Sequence, residues 1–217
     1  MTPADGQKPL RASLRRGLYL ILTEPRDGYE ALCRWAVEAG LPAVQLRYKG
    51  HDEHEHLALA HALRRITAGT GTLFIVNDRP DIALISHADG MHLGQDDLPA
   101  AEVRLLIGPT MLLGLSTHNM EQVTAANAAP VDYIGFGPLF TTNSKERPDP
   151  VTGPDALGAV LAISRHPVVA IGGLDLERIR RLHTCPHNVA VIRAVSDASN
   201  PLAVMNAIHA SCLSMEL

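Results

Sequence analysis

Short apolar runs alternate with helix-like stretches eight times along the 217 residues, with no internal repeat and no linker between the units. The runs are Gly17 to Leu22, Ala43 to Leu46, Leu73 to Val76, Gly90 to Leu93, Met111 to Leu115, Tyr133 to Gly135, Val168 to Ile171 and Val189 to Ile192. Each is too short for a helix and leans on Val, Ile, Leu and Gly, as strands buried on both faces do. The stretches between them carry apolar residues at helical spacing. Leu32, Trp35, Ala36 and Ala39 mark one face of a helix over Tyr29 to Ala39, and Leu57, Leu59, Ala62 and Leu63 mark a helix over His51 to Ala68. Further helices are expected from Pro80, a favoured first-turn residue, and over Leu98 to Ile107, Met120 to Ala128, Pro154 to Ile163, Leu176 to Leu182 and Leu202 to Leu213. Strands that alternate with helices build a parallel sheet with the helices on its outside. Eight such units in so short a chain predict a single-domain α/β protein, a closed (β/α)8 or TIM barrel over residues 17–217, preceded by a tail or extra turn over residues 1–16. An open doubly wound sheet is the alternative.

Composition narrows the class. A content of 46% hydrophobic and 19% charged residues is that of a soluble protein with a sizeable core. No apolar stretch approaches the ~18 residues of a membrane helix, and Met1 to Arg16 has no apolar centre of the kind a secretory signal needs. A net charge of −4 argues against a broad nucleic-acid footprint. The three cysteines, Cys33, Cys185 and Cys212, lie far apart without a CxxC, which predicts buried or inert reduced thiols in a cytoplasmic protein.

In an α/β barrel the loops after the strands share one face, and the chemistry gathers there. Five of the apolar runs end in residues suited to phosphate or metal. Gln45, Arg47 and Lys49 close the second, with the i, i+2 spacing that puts three polar groups on one side of an extended strand. Asn77-Asp78-Arg79 closes the third, Gly94-Gln95-Asp96-Asp97 the fourth and Ser116-Thr117-His118 the fifth. The sixth leads into a long irregular stretch, Pro138 to Gly153, that holds Thr142-Asn143-Ser144-Lys145. Loops above about 12 residues in a compact domain are usually lids or binding loops. Asp78 and Asp97 suit Mg²⁺, which takes one or two protein carboxylates and leaves its other positions to water and phosphate; both also stand where helix caps stand. Gly172-Gly173 after the seventh run admits a phosphate close to the backbone, or serves only a tight turn. The tract His51, His54, His56 and His61, interleaved with Asp52, Glu53 and Glu55, reads as a solvated helix face.

The ordered motifs Gln-Leu-Arg-x-Lys, Asn-Asp-Arg, His-Leu-Gly-Gln-x-Asp, Gly-x-Ser-Thr-His, Asp-Tyr-Ile-Gly-x-Gly-Pro-x-Phe-x-Thr and Ala-Ile-Gly-Gly resemble those of thiamine phosphate synthases, from about Gly17 to Pro201. The resemblance implies a barrel enzyme of thiamine biosynthesis, a transferase that joins a pyrimidine diphosphate to a thiazole phosphate, or its carboxylated form, and releases pyrophosphate with Mg²⁺. It places the pyrimidine diphosphate against Gln45, Arg47, Lys49, Asn77, Ser116 and Lys145, with Arg47, Lys49, Lys145 and Ser116 as the catalytic set. It assigns the metal to Asp78 and Asp97, and the thiazole phosphate to Thr142, Asn143, Ser144, Gly173, Ile192 and Arg193. The chemistry it implies is dissociative and needs no protein nucleophile. The expected partners are two small phosphorylated substrates, with no nucleic acid and no membrane; a homo-oligomer is left open. The chain departs from the pattern at Tyr48, where the family has an acidic residue, at Ser144, at Thr184-Cys185-Pro186-His187, and at Arg193, where the family often has serine. The alternatives are a thiazole tautomerase on the same barrel, whose strand-six histidine is Pro138 here, and a non-catalytic binder of thiamine phosphates.

Overall fold

The computed structural model describes residues 13–142 and 149–215. Eight parallel strands close into a barrel in sequence order, each paired with its chain neighbours and β1 with β8. The first half contains β1 (Gly17–Leu22), α1 (Tyr29–Glu38), β2 (Ala43–Leu46), α2 (Glu53–Thr67), β3 (Leu73–Asn77), α3 (Pro80–Ile85), β4 (Gly90–Leu93) and α4 (Ala100–Ile107). The second half contains β5 (Leu112–Thr117), α5 (Met120–Ala126), β6 (Tyr133–Phe136), α6 (Ala156–Ile163), β7 (Val168–Ala170), α7 (Leu176–Arg180), β8 (Asn188–Val191), α8 (Arg193–Ser196) and α9 (Pro201–Ser214).

Period-two alternation divides each strand between two apolar layers. Leu18, Leu20 and Leu22 point outward into the core shared with the helices, together with Val44, Leu46, Phe74 and Val76. Tyr19, Ile21, Ala43, Ile75, Tyr133, Val169 and Ala190 fill the barrel itself. This double burial is why the strands read as continuous apolar runs. At the floor, Leu14 is buried in the interior layer, and the Asn188 side-chain amide donates to the carbonyls of Arg15 and Gly17. Asp132, just before β6, pairs with Arg104 at 2.5 Å and accepts the Leu113 N–H at 2.9 Å. Arg104 also donates to the carbonyls of Pro130, Gly108 and Met111, so this ion pair is embedded in a hydrogen-bonded set.

Several boundaries differ from the sequence expectation for identifiable reasons. The α2 helix begins at Glu53 because the Asp52 side chain takes the N-cap position, accepting from the N–H groups of His54 and Glu55; such a cap stabilises by about 1 kcal/mol. Pro99 occupies the cap of α4 and leaves Leu98 outside the helix and exposed. Ser116 and Thr117 continue β5, paired with Gly135 and Phe136. His56 is the exception to a solvated histidine face. It is buried, its ring centroid 5.0 Å from that of Tyr48, and desolvation, followed by Arg79, holds its imidazole below the ordinary range. The four-residue α8 escaped the sequence pattern, since it is too short to show helical periodicity.

Candidate active site

A cavity of about 560 Å³ opens at the C-terminal ends of the strands. Its floor is built from Ile21, Gln45, Asn77, His92, Ser116 and Gly135, and one wall from the loops after β6, β7 and β8.

The floor carries a continuous hydrogen-bonded chain across the barrel. Gln45 Nε2 donates to the Tyr19 hydroxyl at 3.2 Å, and the Tyr19 and Tyr133 hydroxyls are 3.0 Å apart. The Tyr133 hydroxyl is 3.2 Å from His92 Nδ1, and His92 Nε2 is 2.9 Å from Ser116 Oγ. Burial raises both phenols well above their usual value, so each keeps its proton. One direction then satisfies every member. Tyr19, accepting from Gln45, donates to Tyr133; Tyr133 donates to His92 Nδ1; and the remaining imidazole N–H donates to Ser116. Ser116 is left with its own proton to offer elsewhere. Gly114 makes this meeting feasible. A Cβ there would lie 2.2 Å from Tyr133 Cζ and 2.4 Å from His92 Nδ1.

The wall is a backbone surface. Gly172 (φ +103°) and Gly173 (φ +61°) form the turn after β7, and both glycines are also a packing requirement. A Cβ at Gly172 would meet Pro138 Cα at 2.4 Å, and one at Gly173 would meet the Thr141 carbonyl oxygen at 2.5 Å. The pair thus makes a tight turn that the protein's own β6 loop approaches closely; the approach of a phosphate is a separate expectation. The Gly172 carbonyl accepts the Phe140 N–H at 3.0 Å, so the planar trans peptide turns the Gly173 N–H away from that loop. No hydrogen bond runs from the N–H of Gly173, Leu174, Ile192 or Arg193 to another described residue. These donors, two after β7 and two at the start of α8, belong to residues that line the cavity, and backbone amides of this kind suit an anion. The Arg193 side chain pairs along α8 with Asp197, 3.4 Å away, and both residues line the cavity.

Arg47 lines the cavity; Lys49 does not, and pairs instead with Glu24 at 3.4 Å. The i, i+2 expectation for Gln45, Arg47 and Lys49 extends only as far as the strand, which ends at Leu46. Thr142 lines the cavity from the loop after β6, whereas Asn143, Ser144 and Lys145 lie outside the described residues. The base of the long loop is fastened where the Thr152 N–H and hydroxyl both donate to the Pro138 carbonyl, and where His118 Nε2 stands 3.5 Å from Asp149.

Neither Asp78 nor Asp97 caps a helix, because Arg79 and Pro99 hold the cap positions of α3 and α4 without side-chain bonds. Asp78 stands at φ +63° with its N–H donating to the His92 carbonyl, which ties the end of β3 to the end of β4. Asp97 Oδ2 accepts the Gly94 N–H at 2.5 Å in the loop after β4. Neither aspartate is among the residues that line the cavity; both follow strands whose other end residues, Asn77 and His92, do line it, and carboxylates are the donor type that suits Mg²⁺.

A family model described as thiamine monophosphate synthase matches residues 18–195. The chain belongs to that family. Thiamine-phosphate synthase of Vibrio campbellii is 40% identical over 189 residues, which cover 86% of this chain and 93% of the relative. Thiamine-phosphate synthase of Chlorobium phaeovibrioides is 39% identical over 194 residues, covering 89% and 93% respectively. Among solved structures, thiamine phosphate pyrophosphorylase from Pyrococcus furiosus superposes with a TM-score of 0.82 at 30% identity, covering 92% of this chain and 96% of that one. The family's barrel is thus the barrel seen here.

Of the residues singled out in the sequence, the cavity gathers Gln45, Arg47, Asn77, Ser116, Thr142, Gly173, Ile192 and Arg193. Sequence reasoning missed Tyr19, His92 and Tyr133, because all three sit in the apolar strand runs, where the pattern reads as core. It also missed Arg178, which lines the cavity from α7. The inward parity of Tyr19 and Tyr133 was available in principle, but which strand faces which across the barrel was not.

Proposed function

We propose that this chain condenses the pyrimidine diphosphate with the thiazole phosphate, forming thiamine phosphate and pyrophosphate. The observation that carries the reading is one cavity with two unlike ends: a buried side-chain relay across the floor, and a wall of amides after β7 and β8 that donate to no other described residue. The floor suits a flat ring with its own donors and acceptors. Gln45 offers its carbonyl oxygen to an amine, and Ser116 offers the last proton of the relay. The wall suits the phosphate of the second substrate.

With both substrates bound, the methylene carbon of the pyrimidine loses its C–O bond, and the electron pair departs with pyrophosphate. The thiazole ring nitrogen then supplies the pair for the new C–N bond. Arg47 and the Ser116 hydroxyl stabilise the charge that collects on the leaving oxygen, a contribution that grows toward the transition state. The amide wall holds the thiazole in line, so the second step is effectively unimolecular. Asp78 and Asp97 would hold Mg²⁺, which when bound neutralises charge on the diphosphate. Lys49 and Lys145 belong to the same proposal as further cations for that diphosphate, as do Asn143 and Ser144 for the thiazole phosphate. A reducing cytoplasm suits the buried Cys33 and Cys212 thiols, each pushed up by burial to about 12.

The test is direct. Purified protein supplied with both substrates and Mg²⁺ is expected to yield thiamine phosphate and pyrophosphate in equal amounts. Tight binding of thiamine phosphate without any turnover would replace this reading with a non-catalytic binder.

A further inference from the structure

We propose that Arg178 is a positioning residue for the phosphate of the second substrate, acting through the amide wall; this rests on the reaction assigned above. Its guanidinium makes three engagements that meet at the β7 turn. Nη1 donates to the Gly173 carbonyl, Cζ lies 5.0 Å from the Phe140 ring centroid, and Nε stands 3.8 Å from Asp175 Oδ2. The backbone of Arg178 is itself fixed, since its N–H donates to Asp175 Oδ1 at 2.8 Å.

The consequence follows from peptide planarity. The Leu174 N–H belongs to the same peptide as the Gly173 carbonyl and points the opposite way. Arg178, by holding that carbonyl, fixes the direction of the Leu174 N–H, just as Phe140, by donating to the Gly172 carbonyl, fixes the Gly173 N–H. Glycine at 172 and 173 leaves this turn otherwise free to rotate, because its backbone has no Cβ to restrict it. The two amides are thus aimed by one side chain and one neighbouring loop. Stacking on Phe140 also joins the β6 loop to the β7 turn, so the same guanidinium keeps both sides of the wall in register. The planar fork is essential to this arrangement. A lysine ammonium supplies the charge without the flat face and the directed N–H pair.

Steady-state kinetics and a titration test the assignment on Arg178→Met and Arg178→Lys, with thermal melting as the control for folding. In Arg178→Met, KM for the thiazole phosphate is expected to rise about tenfold, while KM for the pyrimidine diphosphate stays within about twofold and kcat within about threefold. With the unphosphorylated thiazole alcohol as substrate the variant should match the wild type. Arg178→Lys should recover less than half of the loss on a logarithmic scale. Calorimetric titration with inorganic phosphate should show an affinity about tenfold weaker in Arg178→Met. An unchanged phosphate affinity and unchanged KM in Arg178→Met would overturn the proposal. So would full recovery in Arg178→Lys, which would make charge alone sufficient, or an equal loss with the thiazole alcohol, which would make the effect general. The phosphate titration reads the wall even in a protein that forms no thiamine phosphate, and that second outcome would remove the assigned reaction alone.

Discussion

Tyr133→Phe removes one oxygen from the floor and leaves the ring in place. In the native protein that hydroxyl is 3.0 Å from Tyr19 Oη and 3.2 Å from His92 Nδ1, and Tyr133 is 1% exposed. Without it, Tyr19 keeps its bond from Gln45, while His92 Nδ1 loses the bond from Tyr133. A buried polar group deprived of its partner costs about 1–3 kcal/mol, and the chain length implies roughly 2–4 °C of melting temperature per kcal/mol. The expected loss is about 2 kcal/mol and on the order of 5 °C. The relay also loses its direction, since His92 is no longer obliged to present a proton to Ser116, so kcat should fall by about tenfold. Urea unfolding followed by the fluorescence of Trp35, the single tryptophan, gives the stability. A double-mutant cycle with Tyr19→Phe should show a coupling of about 1 kcal/mol, as expected for residues in direct contact. Wild-type stability in Tyr133→Phe, or strict additivity in the cycle, would refute the relay.

Gly172→Ala places a Cβ 2.4 Å from Pro138 Cα at φ +103°. Strain plus overpacking should cost about 2–4 kcal/mol, with a higher KM for the thiazole phosphate; a variant as stable as the wild type would contradict the close approach. Asp97→Ala should abolish Mg²⁺-dependent turnover while the protein stays folded by circular dichroism, and wild-type activity there would remove Asp97 from the site. His56 and His209 are both held below the ordinary imidazole range, first by burial and then by Arg79 and Arg15 respectively. Their neutral forms are favoured on folding, so the stability they contribute is present above about pH 6.5 and lost as pH falls through their lower folded values. Urea midpoints should therefore decline from pH 7.5 to 5.5, and His56→Gln should flatten that decline; a midpoint that rises on acidification would reverse the sign of the argument.

The sequence by itself determined the architecture, because its apolar period is local. Residues two apart in β1 or three and four apart in α1 meet the same face whatever the rest of the chain does. It also determined which strand ends are polar, and the Gly172-Gly173 turn, since these depend on residue type at a fixed place. Pairings across the barrel were a different matter. Tyr19, Tyr133 and His92 lie on β1, β6 and β4, and nothing in their neighbourhoods along the chain states that their polar atoms meet. Lys49 shows a second limit, because the backbone imposes alternation only as far as Leu46, where β2 stops, and Lys49 pairs with Glu24. Whether Asp78 and Asp97 cap helices also waited on the fold, since the cap positions belong to Arg79 and Pro99. Local chemistry set what each strand delivers; closure of the barrel decided what each delivered group faces.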